Sequence, residues 1–300
     1  MGFIMHFAFD NTRRLMRKVY YFRYTGIVFK LIQSDPRRFS DVLLTNVSAV
    51  GATDEQLAYA AASQFLSALS WENGSQIAMR HGGGYGASDN LCLRSAQCGI
   101  KDLPEVPGGF SRMKGYGIGR IPKIVTPEQS TALTLFRDGN SSNHMYLRFL
   151  LFSQVLETAG ASPWDVATEL YKKYYKELHT KSAFDQLSLG SRKIGDYLRE
   201  DCRNAIAHFI RPSKRTTVRL DVVSDYRRIQ IGAAVIRELA IYHIRFNLAL
   251  QDHLFLMKCH GIPYPQYVDE DYIKAHRCEI AYPKKGKYKK ESNKSLELSP

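Results

Sequence analysis

The sequence reads as an α+β protein, with a mixed α/β domain in front and an all-α domain behind it. Runs rich in β-branched and aromatic residues, punctuated by glycine, crowd the first 125 residues. From Thr126 onward apolar residues recur at helical spacing behind strong helix-start signals. A chain of 300 residues is long for one domain and comfortable for two. The expected divisions are 1–125, a mixed α/β domain; 126–282, a helical domain; and 283–300, a Lys-rich tail expected to be disordered.

The first clear element is VYYFRYTGIVFKLI, residues 19–32, which Gly26 breaks as it would a hairpin or a bulged strand. Shorter strands are expected at 41–47, 76–80 and 91–94. Between them Thr53 opens a capping box with Gln56, and Leu57, Ala60, Ala61, Phe65, Leu66 and Leu69 follow at helical spacing. One helix should therefore pack on a small sheet. The glycine clusters HGGGYG (81–86) and KGYGIGR (114–120) lack a Gly-Lys-Ser/Thr ending, and the second runs into Ile121-Pro122, so both read as tight turns and exposed hairpins. The Pro- and Gly-bearing stretch 98–125 reads as loop and linker. Thr126-Pro127-Glu128-Gln129 and Ser162-Pro163-Trp164-Asp165 each place a cap before a proline at the first helical position. Helices are expected near 127–138, 142–159, 163–178, 191–210 and 224–252.

Composition narrows the function. With 44% hydrophobic and 24% charged residues the chain is of ordinary globular make-up, which excludes collagen-like, coiled-coil and largely disordered classes. The formal charge of +13 invites an anionic partner, and the excess is densest at the two ends: the last twenty residues hold six Lys against two Glu. Five cysteines, Cys92, Cys98, Cys202, Cys259 and Cys278, show no repeated spacing, and the start MGFIMHFAFDN lacks the pattern of a secretion signal. A cytoplasmic protein with no membrane partner is expected, since the longest uncharged helical stretch, 56–71, is short and carries Gln and Ser.

The segment DYLREDCRNAIAHFIRPS, residues 196–213, carries the most chemistry. At about 100° per residue, Ile194, Leu198, Cys202, Ala205 and Phe209 form an apolar face, while Tyr197, Asp201, Asn204 and His208 line one flank. Arg203 lies about 140° around the helix from His208, so a wrapped side chain or a second subunit would have to bring the two together.

Arg-Asn-Ala-Ile-Ala-His at 203–208 resembles the motif of HEPN domains, an Arg and a His four to six residues apart with a polar residue directly after the Arg. The stretch ALSWENGSQIAMRHGGGYG, in the first half, is also similar to the β-containing region that precedes HEPN domains of the Apea-like and methylamine-utilisation J-like groups. The resemblance implies a HEPN-like helical bundle over about 126–280. It further implies a homodimer in which two copies of the motif helix share one groove, RNA as substrate, a prokaryotic defence or stress setting, and an N-terminal domain that contacts RNA or senses a trigger, a regulatory protein or ligand among them.

Such residues suit metal-independent RNA cleavage, with neither metal nor cofactor. Histidine titrates near neutrality, so His208 can act as base toward the 2'-hydroxyl or as acid toward the leaving oxygen. Arg203 can hold two phosphate oxygens in its planar fork, and Asn204 can orient the imidazole or the phosphate. Tyr197 and Asp201 are candidate support residues, which a solvated helix flank explains equally well. Arg211, Lys214, Arg215 and Arg219 either hold the RNA backbone beside the cut or form an exposed loop.

Arg13, Arg14, Arg17, Lys18 and Arg23 interleave with Tyr20, Tyr21 and Tyr24, a mixture suited to nucleic acid, though a charge-protected strand edge is the simpler account. YKKYYKEL, 171–178, reads as core aromatics beside a solvated Lys face. His253, Cys259, His260, His276 and Cys278 gather without a paired spacing that would pre-organise zinc. The competing reading is a non-catalytic dimeric module, binding nucleic acid or a protein partner, in which Arg203 pairs with Glu200 or an acid on another helix, Asn204 caps a neighbouring segment and His208 is a satisfied interface residue.

Overall fold

The structure, a computed structural model, describes residues 3–14, 19–33, 40–48, 51–80, 84–87, 113–114, 121–122, 124–158, 160–177, 181–187, 189–207 and 222–250. It is a mixed α/β chain, with an antiparallel sheet in its N-terminal part and helices in its C-terminal part. Two units divide after residue 123. The strand expected at 91–94, most of the stretch 98–125, the tail from 283 and the zinc candidates from His253 to Cys278 lie outside the described residues.

In the N-terminal unit the sheet is built from β1 (Phe3–Asn11), β3 (Val19–Tyr24), β4 (Ile27–Ile32), β5 (Asp41–Val47), β6 (Ile77–Met79) and β7 (Gly84–Ala87). Its order is β3-β4-β5-β1-β6, and β7 pairs with β1 beside β6. A separate parallel pair joins β2 (Arg13–Arg14) to β8 (Met113–Lys114). The run 19–32 is a hairpin: Thr25 and Gly26 both have positive φ, 47° and 83°, the twist of a two-residue turn that continues the strands' own. Glycine takes that conformation without a Cβ clash, and Arg23 Nη1 donates to Gly26 O at 3.1 Å to close the turn.

Strand alternation sets which side chains meet the helix. Phe7, Leu43 and Leu31 stand in register across three strands, as do Phe22 and Phe29 across the hairpin. Helix α1 (Thr53–Asn73) lays Phe65 on Phe22, ring centroids 4.4 Å apart, and against Tyr24 at 5.5 Å. Ile4, Val42 and Leu44, on the alternate face, are buried as well. That is why β5 reads DVLLTNV, with apolar neighbours in sequence instead of strict alternation.

Two details of α1 differ from the expectation. The cap position is Ala52, without a side-chain bond, and Thr53 is already helical. The carboxylates of Asp54 and Glu55 in the first turn accept from the amides of Ser48 and Gly51 in the segment before the helix, and the helix dipole favours their negative charge. Leu57 and Ala60, expected on the apolar face, are exposed, Leu57 by 59%; the buried stripe runs through Ala58, Ala61, Ala62, Phe65, Leu66 and Leu69.

The C-terminal unit holds α2 (Pro127–Ser141), α3 (Met145–Glu157), α4 (Pro163–Tyr174) and α5 (Lys181–Asp185). After them come α6 (Ile194–Tyr197), α7 (Asn204–Ala207) and α8 (Val223–Tyr242), the last closed by a π turn over His243–Asn247. The capping box of α2 forms as expected: Gln129 N donates to Thr126 Oγ1 at 3.2 Å, and Gln129 Oε1 accepts from Thr126 N. Ser162, in contrast, makes no side-chain cap for α4, and Pro163 alone marks its start.

Contacts fix the helix directions. Gln129 Nε2 donates to Leu248 O at 2.8 Å and Arg237 Nε to Asn140 Oδ1 at 3.0 Å, so α2 runs antiparallel to α8. Thr158 Oγ1 lies 3.2 Å from His243 Nε2, and Phe149 lies over Gly232, so α3 runs parallel to α8. In 171–178, Tyr174 packs against Tyr242 and Phe246, and Lys172, Lys173 and Lys176 are exposed, as the sequence suggested.

Candidate functional site

The motif helix is not one regular helix from 191. Residues 189–193 precede it as a loop; α6 then gives way to a π turn over Leu198–Arg203 before α7 resumes α geometry. Asn204 N donates to Arg199 O, five residues back, which marks the widened turn at the motif itself. Inserted π turns of this kind gather at functional positions in helices.

Packing holds one side of this helix. Ile194, Leu198, Cys202 and Ala205 are all buried, as the helical spacing required. Gly195 lets α6 touch α4: a Cβ there would sit 2.0 Å from Trp164 O, so only glycine fits. Gly232 does the same on α8, where a Cβ would lie 2.9 Å from Cys202 Sγ. Tyr197 is buried too, instead of standing on the open flank, and Arg192 lies over its ring at 5.2 Å. Burial pushes the Tyr197 phenol and the Cys202 thiol each up to about 12, against the opposing pull of the Arg228 guanidinium. Neither is an acid, base or nucleophile at neutral pH.

The charged residues divide into paired and unpaired. Arg192 holds Asp201 through two bonds, Nη1–Oδ1 at 3.2 Å and Nη2–Oδ2 at 2.8 Å. Arg199 reaches Asp196 at 3.4 Å and Glu200 at 3.6 Å. Arg203 is exposed and has no carboxylate partner among the described residues; its guanidinium donates only to Asn204 Oδ1, at 3.4 Å. Glu200, one of the partners the non-catalytic reading offered Arg203, is engaged by Arg199. His208, Arg211, Lys214, Arg215 and Arg219 lie outside the described residues.

Residues 132–245 match the family described as methylamine utilization protein MauJ, a span that contains the motif helix. No curated protein and no solved structure matches the chain. Among the described residues no three His, Cys, Asp or Glu side chains gather to hold a metal ion, and no helix is long and apolar enough to cross a membrane.

Sequence reasoning missed Arg192 and Arg228. Arg192 sits nine residues before Asp201, in a loop, so no helical pair spacing announces the clamp. Arg228 comes from α8, where it pairs with Asp225 at 3.1 Å. Gly195 inside a helical pattern was the one available sign of a close helix contact.

Proposed function

We propose that this protein is an endoribonuclease with a HEPN-type site, cutting RNA by attack of the 2'-hydroxyl on the neighbouring phosphorus. The observation that carries the reading is Arg203: Arg192 and Arg199, which precede it, are committed to ion pairs, whereas Arg203 extends to solvent without a carboxylate partner among the described residues. An exposed, unneutralised guanidinium beside an amide side chain is suited to a phosphate. The match to MauJ over 132–245 supports the MauJ-like group named by the resemblance of the first half.

In this mechanism a His208 imidazole takes the 2'-hydroxyl proton while the O2'–P bond forms, and an imidazolium returns a proton to O5' as the O5'–P bond breaks. The products are a 2',3'-cyclic phosphate and a 5'-hydroxyl. Arg203 stabilises the charge on the phosphoryl oxygens, and Asn204, bonded to it, sets its orientation. Arg211, Lys214, Arg215 and Arg219 hold the backbone on either side. Two subunits contribute one motif helix each, which supplies the base and the acid from separate histidines. Asp201 and Tyr197 support the site from behind, one fixing Arg192 and the other filling the core.

The test is cleavage of a mixed single-stranded RNA pool in EDTA by wild type, Arg203→Ala and His208→Ala. Cyclic-phosphate ends that vanish in both variants are the expected result. Binding of RNA without cleavage by wild type, unchanged in both variants, would replace the nuclease with a dimeric binding module.

A further inference from the structure

We propose that Arg148 and Arg237 form an oxyanion site, of phosphoryl type, where the N-terminus of α3 meets α8 beside the α2–α3 turn. The two cations come from parallel helices. Arg148 and Phe152 lie four residues apart on α3 and share a face, and Phe152 packs on Phe136 and Gly139 of α2. Arg148 therefore faces the end of α2, where Asn140 Oδ1 accepts from Arg237 Nε at 3.0 Å and the Phe136 ring lies 5.6 Å below the Arg237 guanidinium.

Among the described residues the two guanidinium charges here meet one carboxylate, that of Glu238, so one positive charge is left over. Arg148 has no ion-pair partner among the described residues, and its buried Nε has no hydrogen-bond partner. The carboxylate nearest Arg237 is that of Glu238, at 3.8 Å, beyond hydrogen-bond reach. Burial presses the Arg237 pKa downward, the Glu238 carboxylate opposes that, and the neighbouring Arg148 charge adds to it. The N-terminus of α3 adds to the excess: His144 gives it no side-chain cap, its first turn holds no acidic residue, and Arg148 stands there, where the helix dipole disfavours a cation. Two guanidinium forks and an uncapped helix start are the donor set that phosphate oxygens take. The Arg237 side chain remains 32% exposed, so a ligand can reach it.

Phosphoryl groups can arrive as free phosphate or on a nucleic-acid backbone, and two arms separate these. Thermal unfolding is followed against millimolar orthophosphate, with chloride at matched ionic strength as control, for wild type, Arg148→Gln and His144→Asp. Wild type should gain several degrees over chloride. Arg148→Gln should show no gain while melting no lower than wild type in chloride, because it also removes a positive charge that acts against Arg237. His144→Asp, which places a carboxylate at the helix start, should melt higher in chloride and likewise lose the phosphate response. In the second arm a 2'-O-methyl oligoribonucleotide, which cannot be cut by its own hydroxyl, is titrated onto wild type and Arg148→Gln. Weaker binding to the variant assigns the site to a backbone phosphate, and equal binding assigns it to free phosphate. A wild-type response equal to that in chloride, or an undiminished phosphate response in both variants, overturns the proposal. Neither readout requires cleavage, so this result stands apart from the nuclease reading.

Discussion

Arg192 grips Asp201 with both arms of its guanidinium while standing over the Tyr197 ring, so a loop residue fastens the helix turn that carries Arg203. The pair is partly exposed, with side chains 41% and 28% accessible, so its stability contribution is modest. Arg192→Ala and Asp201→Asn should each lower unfolding stability by about 1 kcal/mol. Arg192→Lys should recover only part of the loss, because a single ammonium cannot reproduce the two-bond geometry. Urea denaturation of the three variants checks this, and a full recovery by lysine would show that charge alone matters.

Gln129 does two jobs in α2. Its carbonyl oxygen accepts from Val125 N and Thr126 N, and its amide nitrogen donates to Leu248 O just beyond the π turn of α8. Thr126→Ala removes the other half of the capping box and should cost about 1 kcal/mol. Gln129→Ala loses the box and the tertiary bond together and should cost about 2 kcal/mol. Equal losses in thermal or urea unfolding would mean that the bond to Leu248 contributes nothing.

That contrast shows what a sequence can and cannot disclose. Local devices were legible: the Thr126 box, the hairpin at Gly26, the strand 41–47 and the helical face Ile194, Leu198, Cys202, Ala205 all follow from neighbours within a few residues. Tertiary choices were not. Leu57 fits the α1 stripe by spacing, yet the sheet meets the helix one position around, on Ala58. The π turn at 198–203 has no composition of its own, since it depends on how α6 and α7 must both reach their partners. Arg203 and Asn204 were legible as candidate chemistry, whereas which of three nearby arginines is left without an acid depends on where the loop returns Arg192.

His243 is fully buried between Thr158 and Asn247. Thr158 Oγ1 donates to Val155 O at 2.6 Å, so its oxygen is left to accept from Nε2–H, and Nδ1 accepts from the Asn247 amide. Both nitrogens are thus satisfied in the neutral ring. Burial lowers its pKa from 6.5 to about 4. A folded-state value below the unfolded one means that the unfolded chain binds more protons between these limits. The stabilisation is therefore complete above pH 6.5 and is lost as pH falls toward 4, by about 3 kcal/mol. His243→Gln, which keeps a neutral donor and acceptor, should flatten that part of the pH dependence relative to wild type. Identical slopes for the two proteins in urea unfolding between pH 6.5 and 4 would refute the assignment.

Arg199 and Arg203 stand one helical turn apart on the motif helix and differ in a single respect that matters for catalysis: Arg199 is neutralised by Asp196 and Glu200, and Arg203 by neither. If the unpaired cation is what receives the scissile phosphate, the two alanine variants must separate. Arg199→Ala should cost at most about 0.5 kcal/mol of stability, as exposed pairs do, and leave RNA cleavage intact. Arg203→Ala should leave stability unchanged and reduce cleavage by about a hundredfold or more, the scale of losing one charge stabiliser in the transition state. Arg203→Lys should restore RNA binding better than cleavage, because a point charge attracts a backbone but does not fork two oxygens. Paired measurement of the cleavage rate and of urea unfolding decides it: equal losses of activity in Arg199→Ala and Arg203→Ala would show that the helix contributes only general positive charge.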